Sequence, residues 1–470
     1  MNYNVKLALW WTLFENASAS LRSGDIFSAF IYLYTNSNST VGYIQGINGI
    51  LQLLTAPFAG YLADKFRRDA VLRVAATIGL VAGLTLAASM YFQGSVWHFF
   101  LAMALMGTYK GFNNPAVESI FADSVQTGKS KLYTWKHVIT SLSSAVGPIV
   151  SVVLFFILGN QWKVDECRFV LLFGLTFMVL PLSIMCFFND DRTLGDISEA
   201  ASPLLNSEQL PIKAESGNEE LETQQSCCSS AFLVPALITF SDFIASLASG
   251  MTIKFFALFF MQKCGLSPVT VSILSAVSPI FVSAGSLAAQ SVSQWCGKVP
   301  VTLVTRACDI GLLVTMAFLP TDAGPLKAVL LVAHLLRKAC ANCTRPLMRS
   351  ILMEHVPKRH RGKVNALDSV RTFSWSGSSA AGGILIERFG FQTTFLITAC
   401  IKTVSFVPLL MLLFVLREGP QRSSCLPLWR TRKASQVPQQ DGGEAADDNL
   451  RASLISRTDQ QPDAVSREER

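Results

Sequence analysis

Charge is what this sequence has least of. Only 15% of its 470 residues are Asp, Glu, Lys or Arg, while half are hydrophobic and the mean hydropathy is positive. A soluble chain of this length would need charged surface for several domains, so that class is excluded. No metal or redox site is read in the cysteines either. The eleven are scattered, mostly inside apolar stretches, and the CxxC spacing of Cys340 and Cys343 falls inside one of these with no second cysteine pair beside it. The chain has no glycine-rich phosphate cradle and no nucleophile–base pairing, and His98, His137 and His334 stand alone in helical stretches. No enzyme, cofactor or metal is therefore expected. A cleavable signal peptide is not expected either, because the first apolar stretch holds Glu15, Arg22 and Asp25 and lacks a processing site.

What is present is a rhythm of apolar segments about 20 residues long, the length that spans a ~30 Å hydrocarbon core as a helix. They run at about 7–33, 41–63, 70–92, 97–122, 134–158, 168–188, 231–261, 268–292, 299–319, 326–353, 366–386 and 394–416. Twelve such segments predict an all-α, multi-pass membrane protein. The net charge of +7 sits in the short loops and does not point to nucleic acid. Lys65, Arg67 and Arg68, then Lys129 and Lys131, Lys298, and Lys358 to Lys363 all fall on one side. Bases in short loops mark the cytoplasmic face, which places both termini in the cytoplasm of a plasma or organelle membrane. Asn38-Ser39-Thr40 then forms a sequon on the opposite face. Cys227-Cys228, just before the seventh segment, suits palmitoylation as well as it suits plain helix packing.

Residues 189–230 break the rhythm with a polar, acidic, aromatic-poor stretch that reads as a disordered cytoplasmic linker, with Ser202-Pro203 as a weak phosphosite. Residues 417–470 read as a disordered tail. The chain thus divides into a six-helix unit at 1–188, a linker, a second six-helix unit at 231–416, and the tail. The two units are repeats. ASLRSGDIF at 19–27 aligns with ASLASGMTI at 245–253, PAVESIFADSV at 115–125 with PLMRSILMEHV at 346–356, and TWKHVITSLSSAVGPI at 134–149 with SVRTFSWSGSSAAGGI at 369–384. Paired six-helix repeats facing a midplane site are a transporter architecture.

GYLADKFRR, residues 60–68, resembles the signature between helices two and three of the major facilitator superfamily, matching at Gly60, Leu62, Ala63, Asp64, Lys65 and Arg68. Arg67 replaces the usual second glycine. The counterpart at Gln294-Trp295-Cys296-Gly297-Lys298 keeps a glycine and a base but lacks the acid. Gly147-Pro148 resembles the glycine-proline signature of the family's antiporters without the glycines that should follow. The resemblance covers all twelve helices. It implies the major facilitator fold, a cavity lined by helices one, four, seven and ten, and a latch at the cytoplasmic mouth. In that latch Asp64 would face the start of helix eleven near Asn365–Ala366, where free N–H groups favour an anion. Arg68 can pair with Asp123, and Gly60 would let two helices pass closely.

Ionisable groups at membrane depth are costly and mark function. On helix one, Glu15 and Arg22 lie about 20° apart around the axis, with Asp25 within roughly 80° of Glu15. On helix four, Lys110, Asn114 and Glu118 drift only about 40° per step. On helix ten, Lys338, Asn342, Arg345 and Arg349 share an arc of about 60°. Helix seven adds Asp242 and Lys254. Arg22, Lys110, Asn114, Lys338, Asn342 and Arg345 are the candidate substrate contacts, and Arg345 could hold a carboxylate or phosphate through a fork. Asp25, Glu15 and Glu118 are the candidate proton carriers, since coupling needs a carboxylate whose charge is compensated in one state only. A permanent structural ion pair is the competing reading of the same acids. Glu118, Lys136 and Arg349, nearer the basic loops, join Gly60, Asp64, Arg68 and Asp123 as candidate gating residues. Across the four central helices bases outnumber acids, which invites an anionic ligand unless several bases snorkel or pair internally. The expected function is secondary transport of a small organic solute by a monomer in the lipid bilayer, with protons as one coupling option. An uncoupled facilitator, or a transporter-like receptor or scaffold, is the alternative.

Overall fold

The structure, a computed structural model, describes residues 2–125, 129–193, 220–320, 324–356 and 374–416. Among them every regular element is helical. Crossing one is Tyr3–Arg22 followed by Asp25–Thr35. Crossing two is Asn38–Lys65, three is Arg68–Tyr91, four is Val96–Asp123 and five is Lys129–Leu158. Crossing six is Val164–Thr176 followed by Val179–Cys186. The second half begins with crossing seven, Glu220–Ile253 followed by Phe256–Gln262. Crossing eight is Pro268–Cys296, nine is Lys298–Phe318, and ten is Gly324–Asn342 followed by Arg345–His355.

Crossings eleven and twelve share one helical run, Ser379–Val404, continued by Phe406–Leu416. As a single rod the 43 residues from Ser374 to Leu416 would reach about 65 Å, twice the thickness of a bilayer core. Gly390, with φ of 80°, divides them, and glycine takes that left-handed conformation without a Cβ penalty. The contacts confirm a reversal. Glu387, just before Gly390, meets Ser37 at the start of crossing two, whereas Ser405 accepts a hydrogen bond from Ser241 in crossing seven.

Seven described stretches are apolar and long enough to cross a membrane on composition alone, and the last of them holds crossings eleven and twelve. Crossings one, two, four and ten fall below that threshold because they carry the polar and charged groups. Phe156, Leu84, Leu287 and Phe414 stand exposed on the outer surface, where lipid rather than water covers them, while Phe27, Phe99, Tyr109, Phe260 and Phe395 are buried. The helix of crossing seven starts at Glu220, inside the stretch expected to be linker, and its opening residues Glu220-Leu221-Glu222 are good helix formers. The rest of that linker from 194 on, the tail from 417, and the side chains of Cys227 and Cys228 lie outside the described residues.

Candidate substrate cavity

Crossing one breaks at Ser23–Gly24, and Asp25 opens its second helix. The break is braced by close packing: a Cβ on Gly147 or Gly174 would collide with Ser20 or Leu21, and the Gly147 N–H donates to Ser20 Oγ at 3.1 Å. Just before the break, Arg22 is almost fully enclosed. Its guanidinium donates to Glu15 Oε1 at 2.6 Å and to Ser18 Oγ at 2.6 Å, and Tyr109 donates to Glu15 Oε2 at 3.0 Å. The expected alignment of Glu15 and Arg22 is thus realised as a buried ion pair tied to crossing four.

Lys110 follows Tyr109 and lies within electrostatic reach of Arg22, Glu15 and, from the other half, Lys254. Lys254 sits where crossing seven breaks, with its ammonium 4.7 Å from the centre of the Trp375 ring and within reach of Asp25. Lys338 of crossing ten also lies within reach of Asp25. Asp25 in turn accepts a hydrogen bond from Ser275 of crossing eight. Two carboxylates, Asp25 and Glu15, therefore face three ammonium groups and the Arg22 guanidinium at the centre of the molecule, with groups drawn from both halves. Trp375 and Ser275 were not legible as site residues in the sequence, because their partners lie more than a hundred residues away. Asn114 is exposed one turn beyond Lys110, and the Asn342 side chain donates to the Lys338 carbonyl at 2.7 Å, closing the end of its own helix.

Behind these helices the second half holds a further charge cluster. Asp309 of crossing nine accepts from Lys402 of crossing twelve at 2.6 Å and lies 3.6 Å from Arg337 of crossing ten. Arg306 pairs with Asp242 and donates to Ser241 Oγ at 2.8 Å. Arg345, expected to offer its fork to a substrate, lines a pocket among these residues, because crossing ten breaks at Cys343–Thr344 and starts a new helix there.

Every hydrogen bond between the halves among the described residues lies at the midplane or toward the end that carries Asn38. Glu387 accepts from Ser37 Oγ at 2.8 Å and from the Ser39 N–H at 2.7 Å. Gln262 donates to Asn38, Trp162 to the Leu266 carbonyl, and the Val269 N–H to Asn160. Gly42 and Gly49 press on crossing eleven, where a Cβ on Gly42 would lie 2.6 Å from the Ser379 carbonyl oxygen.

The opposite end differs. Arg68 pairs with Asp123, and Lys136 donates to Glu118 at 2.6 Å, both within the first half. Asp190 accepts from the Arg68 N–H and Asp191 from Arg67, an anchoring role for the start of the linker that the sequence did not reveal. The close helix crossing expected at Gly60 is not seen among the described residues: a Cβ there meets none of their atoms within 4 Å. The Asp64 side chain and the start of crossing eleven lie outside the described residues, and Arg349 is exposed. The cavity is therefore sealed at the sequon end.

The family model described as Major Facilitator Superfamily matches residues 17–381 and 238–439. The chain belongs to the major facilitator superfamily. It is a multi-pass integral membrane protein and a transporter of small solutes. Among curated relatives, the multidrug resistance protein MdtG of Escherichia coli (strain K12 / DH10B) is 23% identical over 371 residues, covering 77% of this chain and 81% of the relative. The D-xylose–proton symporter superposes with a TM-score of 0.63 at 14% identity, over 86% of this chain and 96% of that one. A bacterial ferroportin homologue in its inward-facing state gives 0.63 at 15% identity, over 87% and 98%. These superfamily members share the fold with this chain.

Proposed function

We propose that this chain is a secondary transporter of a small organic anion that works by alternating access, with the basic loops and both termini in the cytoplasm. The observation that carries the reading is the central imbalance of Lys110, Lys254, Lys338 and Arg22 against only Asp25 and Glu15. Uncompensated ammonium groups at membrane depth are costly, and an anionic solute offsets that cost when bound. Lys110 comes from the first half and Lys254 and Lys338 from the second, so a carboxylate between them would draw the halves together around it. Asp25 competes with the solute for Lys254 and Lys338. Its protonation when the cavity empties or fills supplies the state-dependent compensation that proton coupling needs. Glu15, sealed against Arg22 and Tyr109, serves better as a fixed strut.

The test is counterflow in proteoliposomes with labelled mono- and dicarboxylates. Lys338→Gln should weaken uptake of an anionic solute by roughly tenfold or more, the loss of one charge-assisted hydrogen bond. Asp25→Asn should abolish the response to a pH gradient while solute exchange persists. Equal transport of neutral and anionic solutes in both the parent and Lys338→Gln overturns the anion reading.

A further inference from the structure

None of Asp25, Lys110, Lys254 and Lys338 lines the pocket beside the Asp309 cluster. This pocket is a cavity of about 70 Å³ whose lining, including Asp242, Ser246, Arg306, Thr344, Trp375 and Lys402, comes entirely from the second half. Among the described residues its charges do not balance. Arg306 is matched by Asp242, but the single carboxylate of Asp309 is shared by Lys402 and Arg337. All three members of that triad are buried. Counted without Arg345, this leaves one positive charge in excess, and a buried charge without a counter-ion costs several kcal/mol. An ammonium has three N–H donors, and Lys402 gives one to Asp309 Oδ2. Lys402 also lines the cavity, so its remaining donors have that space to point into. A water needs ~10–15 Å³ of such space, so the cavity has room for a small ion and the waters that complete its shell.

We infer that this pocket is a resident binding site for a monovalent inorganic anion of halide size. The ion sits against Lys402 and the Arg306 guanidinium edge, with the hydroxyls of Ser246 and Thr344 on the lining as further donors. It neutralises the triad and ties crossings seven, nine, ten and twelve into one rigid unit. The inference stands apart from the proposed substrate, since the two sites share only the Trp375 indole, which stacks on Lys254 and also lines the pocket.

Trp375 supplies the readout. Purified full-length protein in chloride-free gluconate buffer is titrated with sodium bromide, and quenching of tryptophan fluorescence is followed. The expected result is a saturable quenching component that chloride competes away, that disappears in Trp375→Phe, and that weakens at least tenfold in Lys402→Gln. Lys254→Gln and Lys338→Gln should retain it. If Lys402→Gln does not fold, Ser246→Leu, which fills the pocket, should remove the saturable component in its place. Purely linear quenching in the parent protein overturns the inference. So does a saturable component that survives Lys402→Gln or Ser246→Leu but vanishes in Lys254→Gln, because that places the ion in the central cavity.

Discussion

Gly42→Ala should push the transporter out of the state seen here. The added Cβ would lie 2.6 Å from the Ser379 carbonyl oxygen, 3.1 Å from Gly383 Cα and 3.3 Å from Ala380 Cα, all backbone atoms of crossing eleven. None can swing aside as a side chain would. Relief requires crossings two and eleven to separate by a sizeable fraction of an ångström, which also stretches the 3.3 Å bond from Ser379 Oγ to the Gly42 carbonyl. Overpacking of this kind costs about 1–3 kcal/mol. The clash exists only where the halves meet, so the cost falls on the sealed state alone and shifts the equilibrium by roughly 5- to 150-fold. A single cysteine at Thr40, in an otherwise cysteine-free background, reads this with a membrane-impermeant maleimide. Labelling should rise several-fold in Gly42→Ala at equal expression. Unchanged labelling together with unchanged transport would refute the claim that this glycine contact closes the sequon end.

Breaking the strut by Glu15→Gln should cost about 3–5 kcal/mol, because it leaves the enclosed Arg22 without its counter-ion. Glu15→Leu with Arg22→Met should recover much of that loss, and thermal unfolding in detergent compares the three proteins. Glu387 responds to acid. The Ser39 N–H and the Ser37 hydroxyl hold its carboxyl below the usual carboxylate range, so its contribution is present above the ordinary carboxylate pKa and is lost as pH falls through the lowered one. Acidification to well below the ordinary carboxylate range should therefore loosen the sequon-end seal, read by the same cysteine labelling, and Glu387→Gln should remove that acid step.

Much of the fold was legible, because a bilayer imposes one length and one polarity on every crossing. The pairing of Glu15 with Arg22 was legible too, since seven residues make two turns of one helix, and so was the pairing of Arg68 with Asp123. What the sequence hid depends on contacts between helices. Asp25 meets Ser275 across the two bundles and Lys254 meets Trp375 within the second, and no periodicity within any one segment records either contact. The breaks at Ser23–Gly24 and Cys343–Thr344 do carry local signals, a Ser-Gly pair in the first and Pro346 opening the helix after the second, but the unbroken apolar length of each segment masked them. The second break explains Arg345: a continuous helix would carry it on the stripe of Lys338, whereas the new helix turns it into the side pocket. Gly60 was read from its motif as a packing glycine, and none of the described residues comes within 4 Å of a Cβ placed there.

The Asp309 triad has a consequence for how the protein is made. Asp309 enters the bilayer with crossing nine, where a lone carboxylate at mid-helix raises the insertion free energy by about 2.5–3.5 kcal/mol. Lys402 is synthesised 93 residues later. At ~5–20 residues per second, that is a wait of about 5–20 s. Arg337 arrives sooner, and its one ion-pair partner among the described residues is Asp309, so the two must hold each other through the interval. Glu15 faces no such delay, because Arg22 follows within the same helix and the pair enters the membrane already neutral. The first half can therefore settle as it emerges, whereas the second half stays exposed to the quality-control machinery until its last crossing is in place.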